Sequence, residues 1–178
     1  MDNRIGVIST MSAEAGNLRE VAEYGLDTCQ LVSWDPQLWT AATAAAVRAR
    51  AAETRVGISA FWAGWSGPKE WNFRAGPATL GIVPEVSRAR RAAELMRAGE
   101  FAKLCGLPAV ITHLGFIPEN ATDREWPGVV AAVRDIAPLA FDLVRVLDDA
   151  HQAVGPWNPH LDAGELQIGL RHMLLTRL

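Results

Sequence analysis

The chain has 178 residues, with 17 Lys and Arg against 20 Asp and Glu, and a formal net charge of -3. Acidic and basic residues are interspersed, which argues against a nucleic-acid partner or a polybasic membrane patch. Its apolar runs are too short to span a bilayer, and the first residues lack the pattern of a signal peptide. We therefore expect a cytoplasmic protein of one core that acts on a small molecule or associates with proteins.

Strand and helix patterns alternate along the first three quarters of the chain. Strands are predicted at Arg4–Ser9, Thr28–Ser33, Val56–Phe61 and Ala109–His113. Helices are predicted from about Ala13 with Ser12 as N-cap, from Asp35-Pro36 to about Thr54, from Glu85 to Cys105 and from about Trp126. This alternation predicts parallel strands joined by right-handed crossovers, with every carboxyl end on one side. Cys29 and Cys105, which share no CxxC motif, are expected to be buried thiols.

The pattern changes near Leu139, so we divide the chain into a βα domain, 1–137, and a helical tail, 138–178. In the tail, Pro138 is expected to kink or end a helix, and no fifth strand is recognisable. A long loop, Trp62 to Pro84, holds four glycines and three prolines after strand three. Loops of that length in compact domains are often functional.

His113 is the leading candidate for chemistry, because it stands at the carboxyl end of strand four, before Gly115. A histidine there can bind a metal, move a proton or bond a sugar hydroxyl, and a structural role in a polar rim is the alternative. Glu119 follows six residues later. It is a second catalytic candidate, or else a solvated carboxylate.

Four tryptophans form a second signal, because all of them lie at or just after the ends of strands two and three: Trp34, Trp62, Trp65 and Trp71. Flat aromatic faces at one rim suit the apolar faces of sugars, and core packing is the alternative for each ring. Lys69 and Arg74, in the same loop, are candidates to bind a phosphate or carboxylate.

Two further groups of charged residues are assigned no function. Arg88, Arg90, Arg91 and Arg97 alternate with Glu85, Glu94 and Glu100 on one helix, which is typical of an exposed mixed face. His160, Asp162 and Glu165 have metal-binding atoms, but a turn and a helix cap already explain the acids.

Three strand ends carry a family resemblance: Gln30-Leu-Val-Ser33, Ser59-Ala-Phe-Trp-Ala-Gly64 and Thr112-His-Leu-Gly-Phe-Ile-Pro-Glu119. With the run Trp71 to Pro84 and Phe101 to Pro108, the chain resembles the sugar phosphate isomerase/epimerase superfamily, the xylose isomerase-like TIM barrels. The resemblance covers about residues 4 to 137. It implies an α/β fold, here a half-barrel of about four parallel βα units with a helical tail.

The resemblance implies a metal-dependent isomerase or epimerase acting on a sugar or sugar phosphate, in which Mn²⁺ or Mg²⁺ assists proton transfer next to a carbonyl. His113 matches a strand-four histidine of such barrels. The family's acidic metal ligands would lie on strands five to eight, which have no counterpart in this sequence. The metal ligands are therefore unknown, with His113 as a candidate, and activity is expected to be impaired. The alternative is a non-catalytic half-barrel, either an interaction module or a decayed fragment.

A complete barrel has eight strands and roughly 250 residues, so four strands leave two open edges and an apolar inner face. The tail could cover that face, a second copy could complete the barrel, or the chain could be a fragment, a truncation or a frame-shifted product. A flavodoxin-like open sheet is the rival fold, and a sequential strand order would favour the half-barrel over it.

The first prediction concerns residues 156–178, whose apolar stripe Leu166, Leu170, Met173 and Leu174 is the candidate cover within the chain. Since burying the inner face requires at least ~1,000 Å², we expect deletion of 156–178 to lower solubility or drive oligomerisation. Sedimentation of the deleted and intact chains measures this. Two monomers that both melt cooperatively would show that the half-barrel needs neither a cover nor a partner.

Overall fold

A computed structural model describes residues 5–12 and 15–136. The predicted helical tail, 138–178, the kink at Pro138 and the candidate cluster of His160, Asp162 and Glu165 lie outside the described residues.

Four parallel strands form a single sheet with the order β1-β2-β3-β4. The strands are β1 (Val7–Thr10), β2 (Thr28–Ser33), β3 (Gly57–Ala63) and β4 (Val110–Ile111). A sequential order is that of a barrel segment, whereas a flavodoxin-like sheet places its first strand between later ones. The predicted α/β half-barrel is therefore confirmed, and the rival fold is excluded.

Helices follow the strands on the outer side of the sheet. They are α1 (Leu18–Glu23), α2 (Ala41–Thr54), the short α3 (Gly76–Thr79) and α4 (Glu85–Cys105), and residues 126–136 are also helical. The predicted bounds of α4 are confirmed. Pro84 precedes its first turn, and Gly106 ends it in the left-handed conformation at φ 70°, which a glycine adopts without steric cost.

The first two helices begin later than predicted. Instead of starting near Ala13 with Ser12 as the cap, α1 has Asn17 as its N-cap. Asp35 does accept a capping hydrogen bond, but from the 3-10 turn at Pro36–Leu38. Thr40 caps α2 through its hydroxyl, which accepts from the amide of Thr43 at 3.1 Å. The predicted caps, Ser12 and Asp35, therefore lie five residues before the N-caps of the two helices, Asn17 and Thr40.

The core lies between the outer face of the sheet and the helices. Leu31 and Phe61 pair across β2 and β3 and are fully buried, and the Phe61 ring lies 5.2 Å from that of Phe101 on α4. Cys29 and Cys105 are buried free thiols, as predicted. Burial raises their pKa values to about 11 and about 12, so both thiols stay protonated and unreactive.

The inner face of the sheet is less well covered. Ile8 on β1 pairs with Gln30 on β2, and its side chain is 58% exposed. Among the described strands, β1 and β4 each have one neighbour, so each presents one unpaired edge. In the described ranges, no helix combines the length and hydrophobicity that a membrane span requires.

Candidate functional site

The carboxyl ends of the strands bring the predicted aromatic residues together. Trp34 directly follows β2, Trp62 lies near the end of β3, and Trp65 and Trp71 occupy the loop after it. His113 follows β4 by two residues. We call Trp34, Trp62, Trp65, Trp71 and His113 the aromatic rim.

Trp34 is the centre of this rim. Its ring centroid lies 5.8 Å from Trp62, 5.3 Å from Trp65 and 6.1 Å from Trp71, in each case edge to face. Gly64 makes this packing possible, because a Cβ there would overlap the Trp34 ring. These are the separations and angles that aromatic pairs favour, so the four rings form one packed unit.

Exposure is graded across the rim. Trp65 is fully buried and packs beneath Trp34, so it supports the rim rather than offering a surface to a ligand. Trp34 and Trp62 are partly buried, whereas the Trp71 side chain is 53% exposed. Trp71 therefore presents the most accessible indole of the four.

His113 lies beside that exposed ring. Its centroid is 5.0 Å from that of Trp71 at an interplanar angle of 79°. The amide of Gly115 donates a hydrogen bond of 3.1 Å to His113 Nδ1. Burial also lowers the pKa of His113. Both effects favour the neutral ring with its proton on Nε2, which makes Nε2–H a hydrogen-bond donor.

This tautomer bears on the metal candidates. A neutral imidazole binds a metal through an unprotonated nitrogen, and the lone pair of Nδ1 already accepts the Gly115 amide. Within 5–12 and 15–136, no three His, Cys, Asp or Glu side chains group together as a metal site requires. The residues that the structure describes therefore fit a hydrogen-bonding site and do not fit the expected Mn²⁺ or Mg²⁺.

The other predicted site residues lie further out in the loops. Lys69 joins the rim, with its Nζ 5.5 Å from the centroid of Trp34, a distance typical of cation–π contacts. Arg74 and Glu119 are exposed. Arg74 follows a tight turn in which its amide donates to Asn72 Oδ1 at 3.0 Å.

An aromatic extension of the rim, which the sequence did not predict, is formed by Phe73 and Phe116. Phe73 is 90% exposed, and its ring lies 6.0 Å from that of Phe116, which directly follows Gly115. An exposed phenylalanine beside a second one lengthens the apolar surface next to Trp71 and His113. Its signal was the aromatic spacing Trp71-Asn-Phe73 in the loop.

The charged residues predicted to form an exposed mixed face on α4 fall into two groups. Four are exposed as predicted, namely Glu85, Arg90, Arg97 and Glu100, and three are not. Arg91 and Glu94 are buried, and Arg88 is partly buried. All three bind the loop between β3 and α4. Glu94 accepts from Ser66, and the two arginines donate to backbone carbonyls. Burial lowers the pKa of Arg91. The positive charge of Arg90 lowers this pKa further, and the negative charge of Glu94 raises it. The loop between β3 and α4 therefore covers charged side chains that their helical spacing alone would place in solvent.

An open depression of about 560 Å³ lies at the opposite, amino end of the strands. Its lining is formed by the first halves of β1, β2 and β3, with Ile8, Gln30 and Ile58 among its residues. The only acid–base group in that lining is Cys29, whose thiol is held protonated by burial. We therefore place the candidate site at the aromatic rim.

Similar solved structures are sugar-related barrels. A xylose isomerase domain protein from Planctomyces limnophilus matches at a TM-score of 0.72 and 24% identity, over 86% of this chain and 59% of that one. A D-psicose 3-epimerase matches at 0.52 and 18% identity, over 79% of this chain and 50% of that one. A D-allulose 3-epimerase from Methylomonas sp. matches at 0.53 and 15% identity, over 80% and 50%. The chain thus spans about half of each solved barrel.

A curated relative belongs to another class of protein. The 2-oxoisovalerate dehydrogenase subunit alpha of Pseudomonas aeruginosa is 52% identical over 74 residues, which are 41% of this chain and 18% of that subunit. No family model matches the chain.

The second prediction concerns the stability contributed by neutral His113. Because its pKa is lower in the folded chain than in the unfolded one, the folded state binds fewer protons, and stability is gained as pH rises. This contribution is fully present above the unfolded value of ~6.5 and is lost as pH falls through the folded one. Urea unfolding of the parent and of His113→Gln, from about pH 8 to about pH 5, measures it.

We expect the stability advantage of the parent over His113→Gln to shrink as the pH falls. The remaining histidines are the same in both proteins, so the difference isolates His113. A difference that stays constant or grows at low pH would contradict a neutral, partly buried ring.

Proposed function

Because the described chain has the fold of part of a xylose isomerase-like barrel, we propose that its aromatic rim binds a small sugar or sugar phosphate. The observation that carries the proposal is the exposed Trp71 ring, held 5.0 Å from the partly buried His113. This pair combines an apolar face with a hydrogen-bond donor, at the strand ends where barrel enzymes bind their substrates.

Each group of the rim has a distinct part in this binding. The face of Trp71 stacks on the C–H face of the sugar ring and excludes water from it. The Nε2–H of His113 donates to a hydroxyl or carbonyl oxygen, since Nδ1 is occupied by the Gly115 amide. Lys69, beside Trp34, attracts a phosphate if the sugar carries one. Arg74 and Glu119 have no assigned part in this pose.

The reaction implied by lineage is an isomerisation or epimerisation, a proton transfer next to a carbonyl. His113 could then hold the carbonyl oxygen while a base removes the carbon-bound proton. The described residues do not offer the acidic cluster that a divalent metal needs. We therefore propose that the rim binds the substrate, without a metal-assisted step among the described residues.

A second candidate is a non-catalytic half-barrel that serves as a binding or interaction module. The described residues favour it, because none of their His, Cys, Asp and Glu side chains group in threes as the site of a metal enzyme requires. Completion of the barrel by a second copy stays a prediction in both cases.

The third prediction tests sugar binding with D-fructose as the probe. Trp71→Ala removes the exposed indole, and aromatic contacts worth ~0.5–1.5 kcal/mol correspond to a ~2- to 10-fold weaker affinity. Isothermal titration of parent and variant measures the change. Tyr24→Ala is the matched control, because Tyr24 is also an exposed aromatic, at 67%, but lies at the end of α1.

We expect Tyr24→Ala to bind like the parent. No heat of binding to the parent at millimolar sugar, or equal affinities of the parent and Trp71→Ala, would remove the rim as a sugar site.

The fourth prediction separates the two candidate functions. The neutral His113 tautomer leads us to expect that titration with Mn²⁺ or Mg²⁺ gives no tight binding that depends on His113. Isothermal titration of the parent and of His113→Ala measures this. Tight stoichiometric binding that is lost in His113→Ala would contradict our assignment and restore a metal-dependent catalyst, whereas no binding at all would favour the non-catalytic module.

A further inference from the structure

We infer that Arg91, on the outer helix α4, is a positioning residue that fixes His113 and Trp71 at the rim through the loop between β3 and α4. Arg91 touches neither side chain. Its effect on ligand binding rests on the proposed function, but its effect on the geometry of His113 does not.

The guanidinium of Arg91 joins two distant points of that loop. Its Nη2 donates to the carbonyl of Pro68 at 2.8 Å, and its Nη1 donates to the carbonyl of Gly81 at 2.7 Å. Trp71 lies between these two points in the sequence. The Arg91 cation also lies 5.2 Å from the ring centroid of Trp65, the fully buried tryptophan of the rim. One side chain thus closes the loop that carries Trp71 and anchors it to the packed tryptophans.

Gly81, the second residue bonded by Arg91, lies against the segment that follows β4. Directly after Gly81, the amide of Ile82 donates to the carbonyl of Leu114 at 2.9 Å. Gly81 has φ 66°, and a Cβ there would overlap the backbone of Leu114. Gly115 has φ 101° and packs just as closely on the carbonyl of Leu80. The two backbones therefore meet without intervening side chains, and a shift of one must move the other.

Gly115 connects this backbone contact to His113. The amide of Gly115, in this crossing, is the donor to His113 Nδ1. That hydrogen bond decides which ring nitrogen carries the proton. A displacement of Gly81 would therefore change the tautomer of His113 as well as the place of the loop.

The burial of Arg91 argues that its role is positional. It is 1% exposed, and its Nε has no hydrogen-bond partner among the described groups. Burying a charge is costly, and apolar side chains often replace buried ionic groups without loss of stability. An apolar residue cannot replace the planar guanidinium, whose two Nη groups donate to the carbonyls of Gly81 and Pro68. Arg88 and Glu94 reinforce the same loop, through the carbonyl of Ile82 and the amide of Ser66.

The fifth prediction compares Arg91→Met, which keeps an unbranched apolar stem but removes the guanidinium and its charge, with Arg91→Lys, which keeps the charge but not the planar guanidinium. Arg97→Met is the matched control, because Arg97 also donates from α4 to a proline carbonyl, that of Pro36 at 2.8 Å, which lies outside the loop between β3 and α4. Nitrogen-15 NMR above the titration range of histidine reads the His113 tautomer, which a merely stabilising residue would not alter. Amide exchange reads Ile82 and Gly115.

In the parent and in Arg97→Met we expect the Nδ1 signal of an unprotonated nitrogen. In Arg91→Met we expect that signal to move towards a mixture of tautomers, and the amides of Ile82 and Gly115 to exchange at least ~10-fold faster. Arg91→Lys should lie between. Unchanged tautomer and exchange in a folded Arg91→Met would overturn the inference.

Two further outcomes keep the test decisive. If Arg91→Met does not fold, amide exchange in the parent still tests the coupling. The amides of Ile82 and Gly115 are then expected to have the same free energy of opening, and clearly different values would overturn the inference. If the tautomer shifts while D-fructose fails to bind the parent, the positional role stands and the proposed sugar site fails.

Discussion

Parallel pairing in sequence order is the constraint on which the rest of this structure depends. Each strand is followed by a helix that returns the chain to the same end of the sheet, so the residues after β2, β3 and β4 emerge side by side. Neighbouring strands lie only ~4.8 Å apart, which is close enough for Trp34, Trp65 and His113 to share one rim. An antiparallel step would have sent every second connection to the other end.

The rim also depends on how its longest loop is held. An aromatic side chain on a free loop would lose conformational entropy each time it met a ligand. Here the loop is bonded to α4 by buried charged groups, Arg91 and Glu94, and to strand four by the crossing of Gly81 and Gly115. The Trp71 side chain is therefore exposed while the backbone of its loop is held in place. A preorganised binding surface requires this combination.

Much of this arrangement is predictable from the sequence, because the relevant signals are local. The pattern of apolar strands followed by helices gives the parallel sheet, Pro84 and Gly106 bound α4, and position after a strand end places Trp34 and His113 at the rim. The short turns before α1 and α2 are less visible, since Ser12 and Asp35 carry the same capping chemistry wherever a turn or a helix begins.

The burial of Arg91 and Glu94 could not be predicted from the helix that carries them. Their spacing is that of a solvated face, and only a loop folded back over the helix removes them from water. The hydrogen bond at His113 Nδ1 is local, since its donor is the amide of Gly115 two residues on. The packing of that glycine on Leu80 and Gly81 is not local, and no periodic pattern in the sequence predicts it.

The contact between Trp71 and His113 is the central claim, because it unites the loop after β3 with the strand-four segment at one site. Nuclear Overhauser spectroscopy measures it directly. With ring centroids 5.0 Å apart, cross-peaks between the indole protons of Trp71 and the imidazole protons of His113 are expected, alongside those between Trp34 and Trp65. Cross-peaks within the tryptophan cluster, with none between Trp71 and His113, would contradict the account.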